Sequence, residues 1–332
     1  MTLQMHELLS SGRLCYATEL GAQLCGDSLE VLAQLPANSV DLFVTSPPFP
    51  LLRKKAYGNE DQELYVAWLA QFAKLARDAL KPTGSLVIDI GGAYQKGRPV
   101  RSLHQFRALL TFVDDLNFRL AEEFYWYNPA KLPSPIEWVN KKKIRAKDAV
   151  NTVWWLSKTD DPKAHVGRVR VPYSDSMKRL LKDPEKYYKP KRRHSEHDIG
   201  KAFSKDNGGA LPPNLLSISN SQSNDEYLRT LKLLQRPGHP ARFPMKLPSF
   251  FIEMLTDPGD LVVDFFSGSN TTGKAADSLG REWLSIERDE VYCALSAIRF
   301  LAGQPVQDIE RNVRRIEQGG SLSLVTGDGR IW

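Results

Sequence analysis

Long hydrophobic runs are missing from this sequence, and its first residues do not combine a basic segment with an apolar stretch. A membrane-spanning helix needs about 18 consecutive apolar residues, and a secretory signal needs both of those amino-terminal parts. We therefore expect no membrane partner and no secretion.

Cysteine is also scarce. The three cysteines, Cys15, Cys25 and Cys293, are odd in number and lack the close spacing of metal-binding motifs. We predict that no metal is bound, and we interpret the three side chains as ordinary core or surface thiols in a reducing compartment.

The composition is that of a globular protein with an excess of positive charge. The 332 residues are 42% hydrophobic and 25% charged, which is enough chain for one large domain or two modest ones. The net charge is +6, whereas residues 163–205 alone contain thirteen lysines and arginines against five acidic residues, a net +8. Charge concentrated in this way favours a nucleic-acid contact surface over the alternative, an ordinary solvated face.

Alternating strand and helix patterns predict an α/β fold with a mostly parallel sheet. Strands are predicted within residues 13–26, 40–44, 85–92, 119–127, 151–156, 261–264 and 283–287. Helices are predicted over residues 61–80, 100–116 and 247–256, with closing helices within residues 289–318.

The first candidate site is a buried strand that runs into two prolines. Residues 40–44 are followed by Ser46, Pro47, Pro48 and Phe49, and the prolines stop the sheet there. Ligands of open α/β sheets bind at such strand ends. The Ser46 hydroxyl and the Pro47 carbonyl could accept both N–H groups of a nucleobase amine, which frees its lone pair, while Phe49 stacks on the base. Taken alone, the motif is also an ordinary strand-ending turn.

The next buried strand carries an acidic residue, Asp89, among aliphatic neighbours. A buried carboxylate needs a partner. Asp89 could orient the site serine, receive a proton, or have a purely structural hydrogen bond, and the sequence leaves these three roles open.

The second candidate site is a strand, a glycine turn and a helix over residues 261–276. The following strand ends at Glu287, 19 residues after Gly268. This spacing is typical of a nucleoside site, where the acidic residue accepts from ribose hydroxyls. A dinucleotide site would have glycine in place of Asn270, so a nucleoside without phosphates, such as S-adenosylmethionine, fits better. The alternative is an ordinary tight turn.

Three further polar side chains of this motif suit such a ligand. Asp264 could bind the ammonium of the methionine part, and the hydroxyls of Thr271 and Thr272 could bind its carboxylate together with helix N–H groups.

The two motifs on one chain resemble those of the amino-methylating DNA methyltransferases. The Ser-Pro-Pro-aromatic form resembles the cytosine-N4 branch, whereas the adenine-N6 branch usually carries Asp-Pro-Pro-Tyr. The order of catalytic motif, basic region and cofactor motif resembles the permuted β group. The resemblance spans Thr45 to about Phe300 and implies a Rossmann-like S-adenosylmethionine-dependent sheet with helices on both faces and a smaller DNA-recognition region.

The resemblance also implies domains and residue roles. Residues 1–156 would form the catalytic half, 157–236 the basic target-recognition region and 237–332 the cofactor-binding half. The flipped cytosine would be held by Ser46, Pro47, Pro48 and Phe49, with Asp89 supporting Ser46. The methionine end of the cofactor would be lined by Asp264, Phe266, Gly268, Asn270, Thr271 and Thr272. Glu287 would bind the ribose, Asp27 would lie near the adenine amine or merely cap a helix, and Phe243 would wall the pocket.

Double-stranded DNA is the expected partner. Its contacts are predicted at Arg53, Lys54, Lys55, Lys141, Lys142, Lys143, Arg145, Arg192, Arg193, Lys201 and Lys205. Closer resemblance to one member of the group over residues 132–155, 197–216 and 239–247 suggests the target CAGCTG, methylated at its inner cytosine. It further implies a cytoplasmic bacterial protein with a cognate restriction endonuclease as its functional partner.

Alternative functions stay open at this point. An adenine-N6 enzyme, a non-catalytic DNA-binding protein that senses the cofactor, and a methyltransferase acting on RNA or protein all fit the same scaffold. Methylation at cytosine C5 is disfavoured, because none of the three cysteines follows a proline.

Overall fold

The computed structural model describes residues 10–49, 64–187, 204–220 and 225–324. The chain divides into two compact units, Met1–Ala164 with Asn214–Trp332, and His165–Pro213. None of the helices in the described ranges is long and apolar enough to span a membrane.

The first unit is built on one ten-stranded sheet in the order β10-β1-β2-β9-β8-β3-β4-β6-β5-β7. The five strands β2, β9, β8, β3 and β4 run parallel, and β6 is antiparallel to both of its neighbours. The predicted α/β fold with a mostly parallel sheet is confirmed. The strands are β1 Arg13–Ala17, β2 Gly21–Cys25, β3 Val40–Thr45, β4 Leu80–Gly91, β5 Arg119–Tyr127, β6 Val150–Ser157, β7 Leu215–Ser217, β8 Leu261–Asp264, β9 Glu282–Glu287 and β10 Leu322–Ser323.

Ten α-helices are described. They are α1 Ser28–Leu32, α2 Tyr65–Ala79, α3 His104–Leu110, α4 Asp175–Lys182, α5 Pro184–Tyr187, α6 Glu226–Leu233, α7 Lys246–Leu255, α8 Thr271–Ser278, α9 Glu290–Ser296 and α10 Val306–Glu317. Short π-helical turns cover Thr111–Asp115 and Glu137–Lys141, and 3₁₀ turns cover Val166–Val169 and Ala297–Arg299.

Two predicted elements differ in detail from the structure. The strand region within residues 13–26 is a pair of antiparallel strands, β1 and β2. The strand predicted within residues 85–92 begins earlier, at Leu80, because Leu80 leaves α2 in an extended conformation and pairs directly with Val40. The helix therefore passes into the strand without a loop.

The core of the first unit lies where α2 packs on the sheet. The side chains of Leu69, Phe72 and Ala76 on this helix recur at helical spacing and are buried. Phe72 stacks on Phe265 with ring centroids 5.9 Å apart. Since Phe265 directly follows β8, this packing ties the helix to the edge of the sheet where the candidate motifs lie.

The strand order explains how distant motifs meet. Strand β8, from the carboxyl-terminal part of the chain, lies between β9 and β3, and β3 pairs with β4. Because these four strands are parallel, their carboxyl ends share one edge of the sheet. The last residues of those strands are Thr45, Gly91, Asp264 and Glu287. Both candidate motifs therefore lie at the same edge of the sheet.

The second unit, His165–Pro213, is held together mainly by hydrogen bonds. Val171 and Ala210 exchange backbone bonds of 2.9 Å, and Asp206 accepts from the Tyr173 hydroxyl at 3.0 Å. Among the described residues of this unit, Val169 is the one buried apolar side chain. The unit therefore lacks a substantial core within its described part.

Candidate active site

A cavity of about 650 Å³ opens at the carboxyl edge of the sheet, a size that suits a small-molecule ligand. Residues of both motifs line it. The predicted site residues among them are Ser46, Pro47, Pro48, Phe49, Asp89, Asp27, Phe243, Phe266, Gly268, Thr271 and Glu287.

A hydrogen-bonded chain of three side chains lies beside the Ser-Pro-Pro-Phe motif. The Ser46 hydroxyl donates to Asp89 Oδ2 at 3.0 Å, and Asn151 Nδ2 donates to Asp89 Oδ1 at 3.0 Å. Asn151 lies on β6 diagonally opposite Asp89, because Asp89 pairs with Val153 in the antiparallel ladder. Because the Ser46 hydroxyl hydrogen points at Asp89, the lone pairs of the Ser46 oxygen stay available to accept from the N–H group of a ligand.

Asp89 is buried, and burial raises its pKa from 3.8 to about 6 because desolvation disfavours the carboxylate. The hydrogen bonds from Asn151 and Ser46 oppose this rise, and so does the positive charge of Lys131. A carboxyl group with this pKa can take up a proton near neutral pH.

Phe49 occupies its place because β4 ends in a glycine. A Cβ atom added at Gly91 would lie 2.4 Å from Cε2 of the Phe49 ring. The ring thus rests directly on the Gly91 backbone, a close approach that only glycine permits.

The glycine turn is clamped by Glu287. Gly268, with φ of 50°, donates its N–H to Glu287 Oε2 at 2.8 Å, and Asp289 N–H donates to Oε1 at 2.9 Å. Burial raises the pKa of Glu287. Each carboxylate oxygen keeps a lone pair, so a further contact to a ligand hydroxyl is compatible with this geometry.

Asp264 is buried and is not among the residues that line the cavity. Its carboxylate accepts from the hydroxyls of Thr45 and Thr272, both at 2.7 Å, and from Phe266 N–H at 3.0 Å. Thr272 likewise lies behind the cavity surface. Direct cofactor contact by these two residues stays a prediction, and the observed bonds join β3, β8 and α8.

Asn270 is also fully buried and outside the cavity lining. It has left-handed backbone with φ of 51° and caps α8 by accepting from Gly273 N–H at 2.9 Å. The same oxygen accepts from Ser285 at 2.7 Å, and its nitrogen donates to the Tyr16 hydroxyl at 2.9 Å. Asparagine tolerates this backbone conformation and glycine could not make these bonds, which explains the departure from a second glycine.

Asp27 caps a helix and also lines the cavity, so both roles that the sequence suggested are compatible. It caps α1 by accepting from Leu29 N–H at 2.8 Å, and it is exposed at the cavity lining. The cap uses one oxygen and leaves the other available for a ligand.

An aromatic wall completes the cavity. Phe266 lies 4.8 Å from Phe72 and 5.5 Å from Trp68 between ring centroids, and Phe243 lines the same space. Trp68 and Phe72 were not predicted as site residues, because their helical spacing is that of ordinary core positions.

Several polar cavity residues were also missed. They are Asn128, Lys131, Asn151, Asn220, His239 and Arg242. Arg242 Nη1 is buried with no hydrogen-bond partner among the described residues. No local pattern marks these positions; Asn151, for instance, becomes a site residue only through the pairing of β6 with β4.

The predicted DNA-binding residues lie partly outside the described residues: Arg53, Lys54, Lys55, Arg192, Arg193 and Lys201. Lys141 and Lys142 approach Glu137 at 3.2 and 3.5 Å. Arg145 donates to the Pro99 carbonyl, and Lys143 and Lys205 are exposed.

The mostly parallel sheet and the cavity at its carboxyl edge define an α/β protein with a small-molecule site. A family model described as DNA methylase matches residues 40–298, most of the chain. The chain belongs to this N6/N4 DNA methylase family.

Individual relatives agree with this assignment. The chain is similar to the type II methyltransferase M.PvuII of Proteus hauseri, with 55% identity over 325 residues and 97% of each chain covered. A solved structure named PvuII DNA methyltransferase (cytosine-N4-specific) matches with a TM-score of 0.77 and 48% identity, covering 94% of this chain and 98% of that one. The type II methyltransferase M.BglII of Bacillus subtilis is 26% identical over 280 residues, covering 84% of this chain and 68% of the relative.

Proposed function

We propose that this protein is a cytosine-N4 DNA methyltransferase that modifies duplex DNA with S-adenosylmethionine. The observation that carries the proposal is the Ser46–Asp89 hydrogen bond of 3.0 Å in the same cavity as the Gly268 turn. The 48% identity to the solved PvuII DNA methyltransferase, which is named as cytosine-N4-specific, supports the cytosine-N4 branch over the adenine-N6 branch.

The cavity residues suit S-adenosylmethionine, which when bound supplies a methyl group on a positively charged sulfur. Asp27 and Glu287 offer carboxylates to amine and hydroxyl donors, and Phe243 and Phe266 offer apolar contact. A pyrophosphate would be repelled by the two carboxylates, which argues against a dinucleotide. Asp264, Asn270 and Thr272 would hold the turn in shape through their hydrogen bonds, and contact of these residues with the cofactor stays a prediction.

The chain's own residues would activate the amine as follows. A cytosine must flip out of the DNA double helix to enter a cavity of this kind. Its amino group would donate to Ser46 Oγ and to the Pro47 carbonyl, which draws the nitrogen toward tetrahedral geometry and frees its lone pair. When the new N–C bond has formed, the surplus N4 proton would pass to Ser46 Oγ as the Ser46 proton moves to Asp89.

DNA recognition would fall to the basic middle of the chain. We assign target recognition to residues 157–236, where the excess of positive charge is concentrated. The predicted DNA contacts within this region are Arg192, Arg193, Lys201 and Lys205. Those outside it are Arg53, Lys54, Lys55, Lys141, Lys142, Lys143 and Arg145. The sequence resemblance supports CAGCTG as the target and protection against a cognate endonuclease as the role.

The first test is nucleoside mass spectrometry on plasmid DNA incubated with the purified protein and S-adenosylmethionine. N4-methylcytosine is expected, and digestion at CAGCTG sites should be blocked in the same plasmid. N6-methyladenine would overturn the proposed substrate while leaving the fold and cofactor intact. Absence of any methylated base, with cofactor still bound, would indicate a sensor or a different acceptor.

A further inference from the structure

The three cysteines of the chain meet at one place. Cys15 on β1, Cys25 on β2 and Cys293 on α9 have their sulfur atoms within 4.8 Å of one another, and no disulfide joins them. They are 10 and 268 residues apart along the chain, so their spacing shows none of the usual metal-binding pattern.

A bulge in β1 explains how Cys15 reaches the cluster. Leu14 pairs with Leu24 and Tyr16 pairs with Gln23, so Cys15 is the extra residue between two paired positions. An extra residue of this kind redirects its side chain relative to the regular alternation of a strand.

The surroundings of the sulfur atoms favour ligation. Cys15 and Cys293 are fully buried, whereas Cys25 is 9% exposed and gives access from solvent. The Cys15 and Cys25 thiols donate to backbone carbonyls, with Cys15 Sγ 3.8 Å from the Arg13 oxygen and Cys25 Sγ 3.8 Å from the Arg288 oxygen. Both contacts are long, so either sulfur can exchange its carbonyl contact for a bond to a cation.

The spacing of the sulfur atoms suits a metal ion. Three sulfur atoms bonded at about 2.3 Å to one tetrahedral zinc ion lie about 3.8 Å apart. The three observed sulfur atoms all lie within 4.8 Å of one another, so a small contraction would be enough. A disulfide requires about 2.05 Å, and it also needs an oxidant. Thiolates select soft d¹⁰ cations over hard ones.

We propose that Cys15, Cys25 and Cys293 form a three-thiolate site for a d¹⁰ cation of the zinc class. Each new metal–sulfur bond at a protonated thiol breaks one S–H bond and releases that proton to solvent. No electron is transferred. The site is separate from the proposed methyl-transfer chemistry and does not depend on it.

The site would stabilise one side of the cofactor cavity. Cys25 is two residues from Asp27, and the Cys293 sulfur lies 3.3 Å from the Glu287 carbonyl. Gly26 N–H donates to that same carbonyl at 3.0 Å. A metal bonded to the three sulfurs would join β1, the end of β2 and helix α9 beside the cavity.

The experiment uses the reduced full chain with Cd²⁺ as a spectroscopic probe and Zn²⁺ as competitor. Because the chain contains no other cysteine, every thiolate signal reports this cluster. We expect one Cd²⁺ per chain with thiolate-to-metal charge-transfer absorption, its displacement by Zn²⁺, and a rise in melting temperature with Zn²⁺. Cys25→Ser should weaken binding by more than about tenfold.

The control is a substitution outside the cysteine cluster, and the second readout is the reactivity of the thiols themselves. Glu30→Gln removes an exposed acidic group on the neighbouring helix α1 and should leave binding unchanged. In the unmodified chain, Zn²⁺ should protect the thiols from a thiol reagent, which avoids any folding defect of a variant. Equal Cd²⁺ affinity in Cys25→Ser, absence of the charge-transfer band, or thiols that stay reactive at saturating Zn²⁺ would overturn the proposal.

Discussion

At the scale of single residues, burial decides the chemistry of Asp89. The side chain is 4% exposed, and its pKa is raised to about 6 because its charge is poorly solvated. Two hydrogen bonds keep it from rising further. A carboxyl group with this pKa suits the role of proton acceptor that we propose for Asp89.

The first prediction concerns the pH dependence of methyl transfer. The rate should fall as pH falls through about 6, because Asp89 becomes protonated. Asn151→Ala removes a bond that favours the carboxylate, so the midpoint should move to higher pH. Initial rates measured with saturating DNA and cofactor give the midpoint. The matched control is Thr152→Val, on the same strand, whose hydroxyl donates to the Ile90 carbonyl and not to Asp89. Equal midpoints in Asn151→Ala and Thr152→Val would contradict the proposed role of Asp89.

The second prediction concerns Ser46. Ser46→Ala should reduce the rate of methyl transfer by about 10²-fold with little change in cofactor affinity, because it removes one preorganised contact to the reacting amine. Single-turnover kinetics and equilibrium cofactor binding separate the two effects. Ser39→Ala removes an exposed hydroxyl bonded to Pro36 and should be neutral. Full activity after Ser46→Ala would contradict the proposed role of the Ser46 hydroxyl in activating the amine.

The third prediction tests the glycine beneath Phe49. Gly91→Ala should displace the ring, because its Cβ would lie 2.4 Å from it and β4 is paired on both sides. We expect a large loss of activity with cofactor binding retained. Gly167→Ala is the matched control, since its nearest neighbour would be 3.8 Å away. Unchanged kinetics in Gly91→Ala would show that the position of Phe49 is not critical.

At the scale of elements, the cavity is held by side-chain bonds between strand ends. Asp264 joins Thr45 of β3 and Thr272 of α8, with both bonds at 2.7 Å. Its pKa is also raised to about 6 by burial. Between about pH 4 and 6 the folded state therefore binds more protons than the unfolded state, so this carboxyl makes the free energy of unfolding fall as pH rises through that window.

The fourth prediction follows from this linkage. Thr272→Val should lower the free energy of unfolding by about 1–3 kcal/mol at pH 8, because the buried carboxylate loses a donor. The loss should be smaller at pH 5, where Asp264 is largely protonated. Denaturant unfolding at both pH values provides the comparison. Thr159→Val, at an exposed hydroxyl bonded to Pro82, is the control; the same destabilisation at both pH values would contradict the role of Asp264.

At the scale of the whole molecule, positive charge is the feature that concerns DNA. The chain carries +6, and residues 163–205 alone carry +8. Part of the charge elsewhere is already neutralised, as at Lys141, which approaches Glu137 at 3.2 Å. Exposed cations without such partners should account for most of the dependence of binding on salt.

The fifth prediction uses that contrast. Lys143→Gln should weaken DNA binding and reduce the slope of log affinity against log salt by about 1, because Lys143 is exposed and makes no ion pair with a described residue. Lys141→Gln, four residues from its partner Glu137, should change the slope less. Binding titrations at several salt concentrations measure both. A larger effect in Lys141→Gln would contradict this reading of the surface.

Some features of this protein were determined by the sequence alone. The prolines after residue 45, the glycine turn at 268 and the spacing to Glu287 act through local backbone geometry, and they predicted two strand-end motifs in a parallel sheet. The family also followed from those motifs. Local patterns suffice here because prolines, glycines and periodicity restrict the chain within a few residues.

Other features were decided by the tertiary structure. Thr45 meets Asp264 across 219 residues, Asn151 reaches Asp89 through an antiparallel neighbour, and three separated cysteines converge through a bulge. The order of the strands and the register of their pairing place these groups together, and neither is encoded in any short stretch of chain. The sequence therefore determined which chemical groups end the strands, whereas the strand order decided which of them touch, because hydrogen bonds and ligation depend on distances in space.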